Sequence, residues 1–289
     1  MYKVAILGCE NSHADAFLEA VIEKKVVTDV EFVGVYSDDT EAAQKLHDRF
    51  GVPVAKSYDE FVGKIDGLIV TARHGDNHYK YAKPYIESGI PMFIDKPITH
   101  SEEDAKEFME VLKANKTPVC GGSMVVLSDD VKKMVEAFKA NEHGEVIGGI
   151  VREPVNKKNI YGNFSFYSQH GIQTMMTIFG MNPRSVKVYE KGIAYTCVVR
   201  YDDFDVILSF ADLKFSVYHV ALNCADKFFG TDISLDGCAE REFMEFYKLL
   251  TTKEMHVSYE EFFAPVYVMN AMMRSIESGN EEPIVKYEV

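Results

Sequence analysis

The chain has 289 residues, room for about two domains, and an apolar share of 47% with 26% charged residues describes a folded chain. Its 31 Lys and Arg against 45 Asp and Glu leave a net charge of −14, which disfavours nucleic acid and anionic membrane surfaces as partners. No run approaches the roughly 20 apolar residues of a membrane span, the first residues lack a signal peptide's apolar core, and five cysteines without a C-x-x-C pair predict reduced thiols in the cytoplasm.

In the first 122 residues short apolar runs alternate with helical periodicity. Strands are predicted at 3–7, 31–36, 52–55, 67–71, 91–95 and 117–121. Between them lie a helix running to about Lys25, one over Thr40–Phe50 closed by Gly51, a short one at 58–62, one over 78–88 kinked at Pro84, and one from Ser101. Ser101 with Asp104 resembles a capping box. Six strands interleaved with helices predict a parallel, doubly wound (Rossmann) sheet.

Beyond Ser123 the pattern changes. A helix over 130–140 precedes a strand at 146–153 and a helix near 168–179. Strands then follow one another at 186–190, 193–201, 204–211, 215–223 and 227–235, with Asp202-Asp203 as a tight turn. Strands without intervening helices predict an antiparallel meander. Two helices close the chain, the second capped by Ser258 and Glu261. The fold class is therefore α/β: a doubly wound (Rossmann) domain at 1–123, then an α+β domain at 124–289 with a mostly antiparallel sheet.

Ligands of doubly wound sheets bind where the strand order reverses. The first such turn is Gly8-Cys9-Glu10-Asn11-Ser12-His13. It keeps one glycine of the dinucleotide fingerprint G-x-G-x-x-G, so a plain strand–helix turn is an equal reading. Helix amides and the Ser12 hydroxyl suit a diphosphate, whereas Glu10 repels one unless it points away. After the second strand, Asp38 either accepts from a ribose or, with Asp39, caps the next helix. His74 and His78 stand four apart, a spacing suited to metal ligands, but no third ligand accompanies them and no metal site is expected.

The stretch GLIVTARHGDNHYKYAKPYIESGIPMFIDKPIT, residues 67–99, resembles the glucose–fructose oxidoreductase, inositol dehydrogenase and rhizopine catabolism (Gfo/Idh/MocA) family. Asp95-Lys96-Pro97 matches that family's Glu-Lys-Pro element with Asp for Glu, and His78 matches its loop histidine; the loop from Thr71 to His78 is longer. The family's second element, a helical His-x-x-Asp, is matched by His170 with Gln173 in the place of the Asp. Phe166 stands where many members carry another Asp, four residues before the histidine. Helix residues His170, Gln173, Thr174 and Thr177 form a polar stripe without Lys, Glu or Asp, read as the wall of a substrate cleft.

The resemblance implies an oxidoreductase using NAD, with NADP disfavoured, on a sugar, polyol or related hydroxylated small molecule. Cofactor contacts would come from Gly8, Asn11, Ser12, His13, Ser37, Asp38, Thr71, Ala72, Arg73, His78, Lys96 and Pro97. Lys96 and His170 would be catalytic and, with Gln173 and Thr174, would hold a substrate lying between them, His170 as general acid/base and Lys96 polarising the oxygen. The rival reading is a regulator that binds a dinucleotide or sugar without turnover. Strands at 193–201 and 204–211 carry apolar residues on both faces with few helices to cover them, which predicts a homodimer or homotetramer.

Overall fold

A computed structural model describes residues 1–213 and 217–285. The chain divides into two compact units, residues 1–122 with 239–262, and residues 123–238 with 263–289. A single cut near Ser123 therefore does not describe the division, because a segment some 120 residues downstream returns to the first unit.

The first unit opens with β1 (Tyr2–Leu7), α1 (Ser12–Leu18), which widens into a π turn at Glu19–Glu23, and β2 (Val30–Tyr36). Then come α2 (Thr40–Phe50), β3 (Gly67–Val70), α3 (Asp76–Ile86), β4 (Met92–Asp95), α4 (Glu102–Asn115) and β5 (Val119–Gly122). The sheet is parallel, in the order β2-β1-β3-β4-β5. The order reverses beside β1, so a crevice is expected at the carboxyl ends of β1 and β3. β3 and β4 are buried at every position, which explains their uninterrupted apolar runs. The side chains of Asp39 and Ser101 accept from Ala42 N and Asp104 N and cap α2 and α4.

Two expected elements are absent. Residues 52–55 form no strand; Val54 makes a single parallel bridge to Val35. Pro53 supplies only its carbonyl there, accepting from Val35 N, since proline has no N–H for a ladder. Residues 58–62 form turns rather than a helix, being too short to repay helix nucleation. α3 continues through Pro84.

The second unit contains α5 (Asp129–Ala140), β6 (Val146–Val155), α6 (Phe164–Phe179), β7 (Ser185–Lys191), β8 (Ala194–Arg200), β9 (Asp205–Asp212), β10 (His219–Cys224) and β11 (Phe228–Asp232). The chain ends in α7 (Cys238–Thr252), α8 (Tyr259–Ser278) and β12 (Glu282–Pro283). The sheet order is β11-β10-β6-β9-β8-β7-β12. It is antiparallel except between β6 and β9. The expected meander holds for β7-β8-β9 and then breaks, because β6 lies between β9 and β10. Residues 215 and 216, the start of the strand expected at 215–223, lie outside the described residues. Tyr201 N donates to Phe204 O across the Asp202-Asp203 turn. Ser258 and Glu261 exchange hydrogen bonds as a capping box for α8.

α7 brings Phe243, Phe246 and Leu250 into the first unit's core with Phe17, Phe32 and Phe93. The Phe17 and Phe93 rings meet edge to face at 5.3 Å. Among the described residues no helix is long and apolar enough to cross a membrane.

Candidate functional site

The first loop turns at Gly8, whose φ of +74° excludes most side chains. A Cβ there would lie 2.5 Å from Ala72, so the end of β1 and the segment after β3 touch backbone to backbone. Thr71 is buried and its hydroxyl donates to Gly8 O at 3.1 Å. Thr71 and Ala72 thus shape the loop, and the Thr71 hydroxyl is taken by the protein itself.

Glu10 points its carboxylate at the neighbouring strand ends. Ser37 Oγ donates to it at 2.6 Å and Arg73 N at 3.0 Å. Asp39, not Asp38, caps α2. Asp38 is exposed and accepts from Tyr36 Oη at 2.6 Å and Tyr81 Oη at 2.8 Å, with Lys80 Nζ 3.5 Å away. The tyrosine hydroxyl bonds hold its carboxyl below the usual range, and Tyr36 in return is pushed up to about 12.

α1 starts at an extended Asn11 with no side-chain cap. Uncapped amides, the exposed Ser12 hydroxyl and the Asp38 carboxylate at one sheet edge are a donor and acceptor set that fits a dinucleotide's diphosphate and ribose.

A buried charge cluster gathers at the end of β4. Asp95 Oδ1 accepts from Lys96 N at 2.6 Å, and Asp95 Oδ2 accepts from Asn11 Nδ2 at 2.8 Å. His13 Nδ1 lies 3.1 Å from Asp95 Oδ2 and 3.2 Å from Glu242 Oε2 on α7. All five residues are buried. Burial alone would lower His13, but the carboxylates of Asp95 and Glu242 override it and raise it to about 9. Burial raises Glu242 to about 8, with His13 opposing. Asp95, despite burial, is held at about 2 by His13. Burial depresses Lys96, against the pull of Asp95 and Glu242. Asn11 and His13, expected at the cofactor, are instead committed to Asp95.

His78 is fully buried, with Nε2 2.7 Å from Ala72 O and Nδ1 3.3 Å from Ile98 O. Its ring ties the loop after β3 to the loop after β4, and both nitrogens face backbone carbonyls rather than a ligand. Pro97 follows a cis peptide bond and packs against Gly75, where a Cβ would lie 3.0 Å from its ring. His74 reaches Asp76 and His100 rather than His78.

In the second unit, His170 Nδ1 lies 2.6 Å from Ser123 Oγ. Ser123 N donates to Gln173 Oε1. Ser123 therefore fixes the imidazole, while Gln173 holds Ser123. The polar stripe of α6 includes buried positions. Thr174 is buried, with Oγ1 3.1 Å from Glu153 Oε1 and 2.9 Å from His170 O. Glu153 is fully buried on β6, and burial pushes its carboxyl well above the usual range against a weak pull from Thr174. Phe166 packs among aromatic rings, 5.6 Å from Tyr161 and 4.8 Å from Tyr167.

Sequence reading missed Glu242, Glu153 and Ser123. Glu242 sits in helical register with the apolar Phe246 and Leu249, and Glu153 in inward phase with Val151 and Val155; a carboxylate on an apolar stripe was the available signal. Nothing local marks Ser123.

Residues 2–122 match the family model of the Gfo/Idh/MocA oxidoreductases, NAD-binding Rossmann fold. An uncharacterized oxidoreductase of Streptococcus pneumoniae serotype 4 is 24% identical over 197 residues, 64% of this chain and 53% of that protein. The chain spans about half the length of the curated relatives it matches. The structure of myo-inositol 2-dehydrogenase from Lactobacillus plantarum has a TM-score of 0.86 at 12% identity, covering 98% of this chain and 99% of that one. GenD2 from gentamicin A biosynthesis, in complex with NAD, has a TM-score of 0.83 at 13% identity over 100% and 97% of the two chains. At such identities these likenesses establish the fold: a parallel Rossmann sheet followed by a mixed, mostly antiparallel one.

Proposed function

From the premise that residues 2–122 belong to the NAD-binding Rossmann fold of the Gfo/Idh/MocA oxidoreductases, we propose that the protein is an NAD-dependent dehydrogenase of hydroxylated small molecules, sugars or polyols. The observation that carries this reading is Lys96, buried just beyond the carboxyl end of β4 and within the electrostatic reach of Asp95 and Glu242. A buried lysine is costly unless its charge is used. Bound NAD would supply the hydride acceptor, held by the α1 amides, Ser12 and Asp38. Lys96 polarises the substrate oxygen. The second unit would contribute His170, held by Ser123, as a general acid/base. The five cysteines are free, which supports a cytoplasmic setting.

Oxidation of NADH, followed at its absorbance with a panel of ketoses and keto-inositols, tests the proposal. Lys96→Met keeps the apolar stem and should lower kcat/KM by ~10²-fold or more while NAD affinity changes little. Binding of NAD with no turnover across the panel would favour the regulator. Full kcat/KM in a folded Lys96→Met variant would remove Lys96 from the chemistry.

A further inference from the structure

The loop after β3 carries His74 and Asp76, and the loop after β4 carries His100. The fold thereby gives His74 two companion donors, Asp76 and His100, in place of His78. His100 Nδ1 lies 3.3 Å from Asp76 Oδ1, and His74 Nδ1 lies 3.6 Å from Asp76 Oδ2. One ligand atom from each of the three residues falls within 4.8 Å of the others. Two ligands at ~2.0–2.1 Å from one ion at a tetrahedral angle are themselves about 3.4 Å apart; each imidazole lies close to that distance from one of the two Asp76 carboxylate oxygens. The two imidazole rings meet nearly edge-on, with centroids 4.7 Å apart.

We propose that His74, Asp76 and His100 form a binding site for one divalent transition-metal ion of the zinc or cobalt class, with its remaining coordination open to water or to an oxygen of a small molecule. The donor set selects the class. Two imidazoles and one carboxylate suit zinc, cobalt or nickel, whereas calcium and magnesium take oxygen ligands. The side chains of His74 and Asp76 are 37% and 55% exposed, which gives an ion a path in and leaves part of its sphere open. The ion would also clamp two loops that already pack tightly where Gly75 meets Pro97, one of them carrying Lys96.

Among the described residues a second convergence of ligand atoms, His13, Asp95 and Glu242, is less suited. Asp95 Oδ2 is already bonded to Asn11 Nδ2, and the Lys96 ammonium acts on the same carboxylates. The proposal is independent of whether the chain turns over a substrate.

The test is titration of the purified full chain with Co²⁺, followed by visible absorption, and with Zn²⁺ by calorimetry. One ion per chain is expected, with the intense visible bands of low-coordinate cobalt and displacement of Co²⁺ by Zn²⁺. Asp76→Asn and His74→Ala change exposed side chains, so both variants should fold. Each should weaken binding ~10-fold or more, because each removes one of three protein ligands. His13→Ala should leave binding unchanged. No bands and no heat at millimolar ion would overturn the site, as would equal affinity in the wild type and both loop variants.

Discussion

Glu242→Gln is expected to make the protein more stable at neutral and alkaline pH. The Glu242 carboxyl is buried with its pKa raised from 4.5 to about 8. Unfolded, it ionises near pH 4.5; folded, it resists ionisation until about pH 8. Its burial therefore costs nothing below pH 4.5, costs more as pH rises between the two values, and is constant above. The full penalty is on the order of 5 kcal/mol, slightly less at pH 8, where the folded group is only half ionised. Glutamine is isosteric with the protonated acid and carries no such penalty. At pH 8 the variant should melt higher by roughly 5–15 °C, given about 2–4 °C per kcal/mol for a unit of this size, and the gain should vanish near pH 4.5. His13, raised to about 9, contributes stability that is full below pH 6.5 and lost as pH rises through 9. Wild type should thus lose stability through Glu242 from pH 4.5, through both groups between pH 6.5 and 8, and through His13 alone from 8 to 9, whereas the variant loses it through His13 alone. Melting temperatures of both proteins across pH 4.5–9.5 are the measurement. A variant that melts below wild type at pH 8 would show that Glu242 acts as a net stabilising ion pair with His13 and Lys96, and would refute the reasoning. A stabilised variant with impaired turnover would show a buried charge retained for function at a cost in stability.

Ser123→Ala removes the hydroxyl that meets His170 Nδ1; losing one positioning hydrogen bond of about 1–1.5 kcal/mol should lower kcat/KM ~5–10-fold with little change in melting temperature, and an unchanged pH–rate profile would show the hydroxyl idle. NAD should bind more tightly than NADP by calorimetry, since Glu10, Asp38 and Asp39 outweigh Lys80 near the end of β2. Asp38→Ala, which leaves Lys80 without that carboxylate, should narrow the gap, and tighter NADP binding in wild type would defeat the argument. One face of β8 and β9 is buried, and the other presents half-buried Val198 and Ile207, so we propose self-association through that sheet; light scattering at micromolar concentration should give a multiple of 32.7 kDa, and a single-chain mass would exclude it.

The alternation of apolar runs with helical periodicity was enough to establish the parallel sheet, the caps at Ser101 and Ser258, and the placing of Lys96 at a strand end and His170 on a helix. These features depend on neighbours within a turn or a strand, and the chain encodes them locally. Fold assembly decided the rest. Thr71, His78 and Thr174 read as ligand contacts along the chain, yet their polar atoms pair with Gly8, with Ala72 and Ile98, and with Glu153, because buried polar groups must find partners wherever the packing places them. Tertiary structure alone put Glu242 against His13 and Asp95, more than 140 residues away in sequence, joined Ser123 to His170, and set His100 beside His74. It also placed β6 between β9 and β10. Local periodicity states which face of an element is apolar; which distant element covers that face is a property of topology, and the charged groups that topology brings together acquire their pKa values, and with them their chemistry, only there.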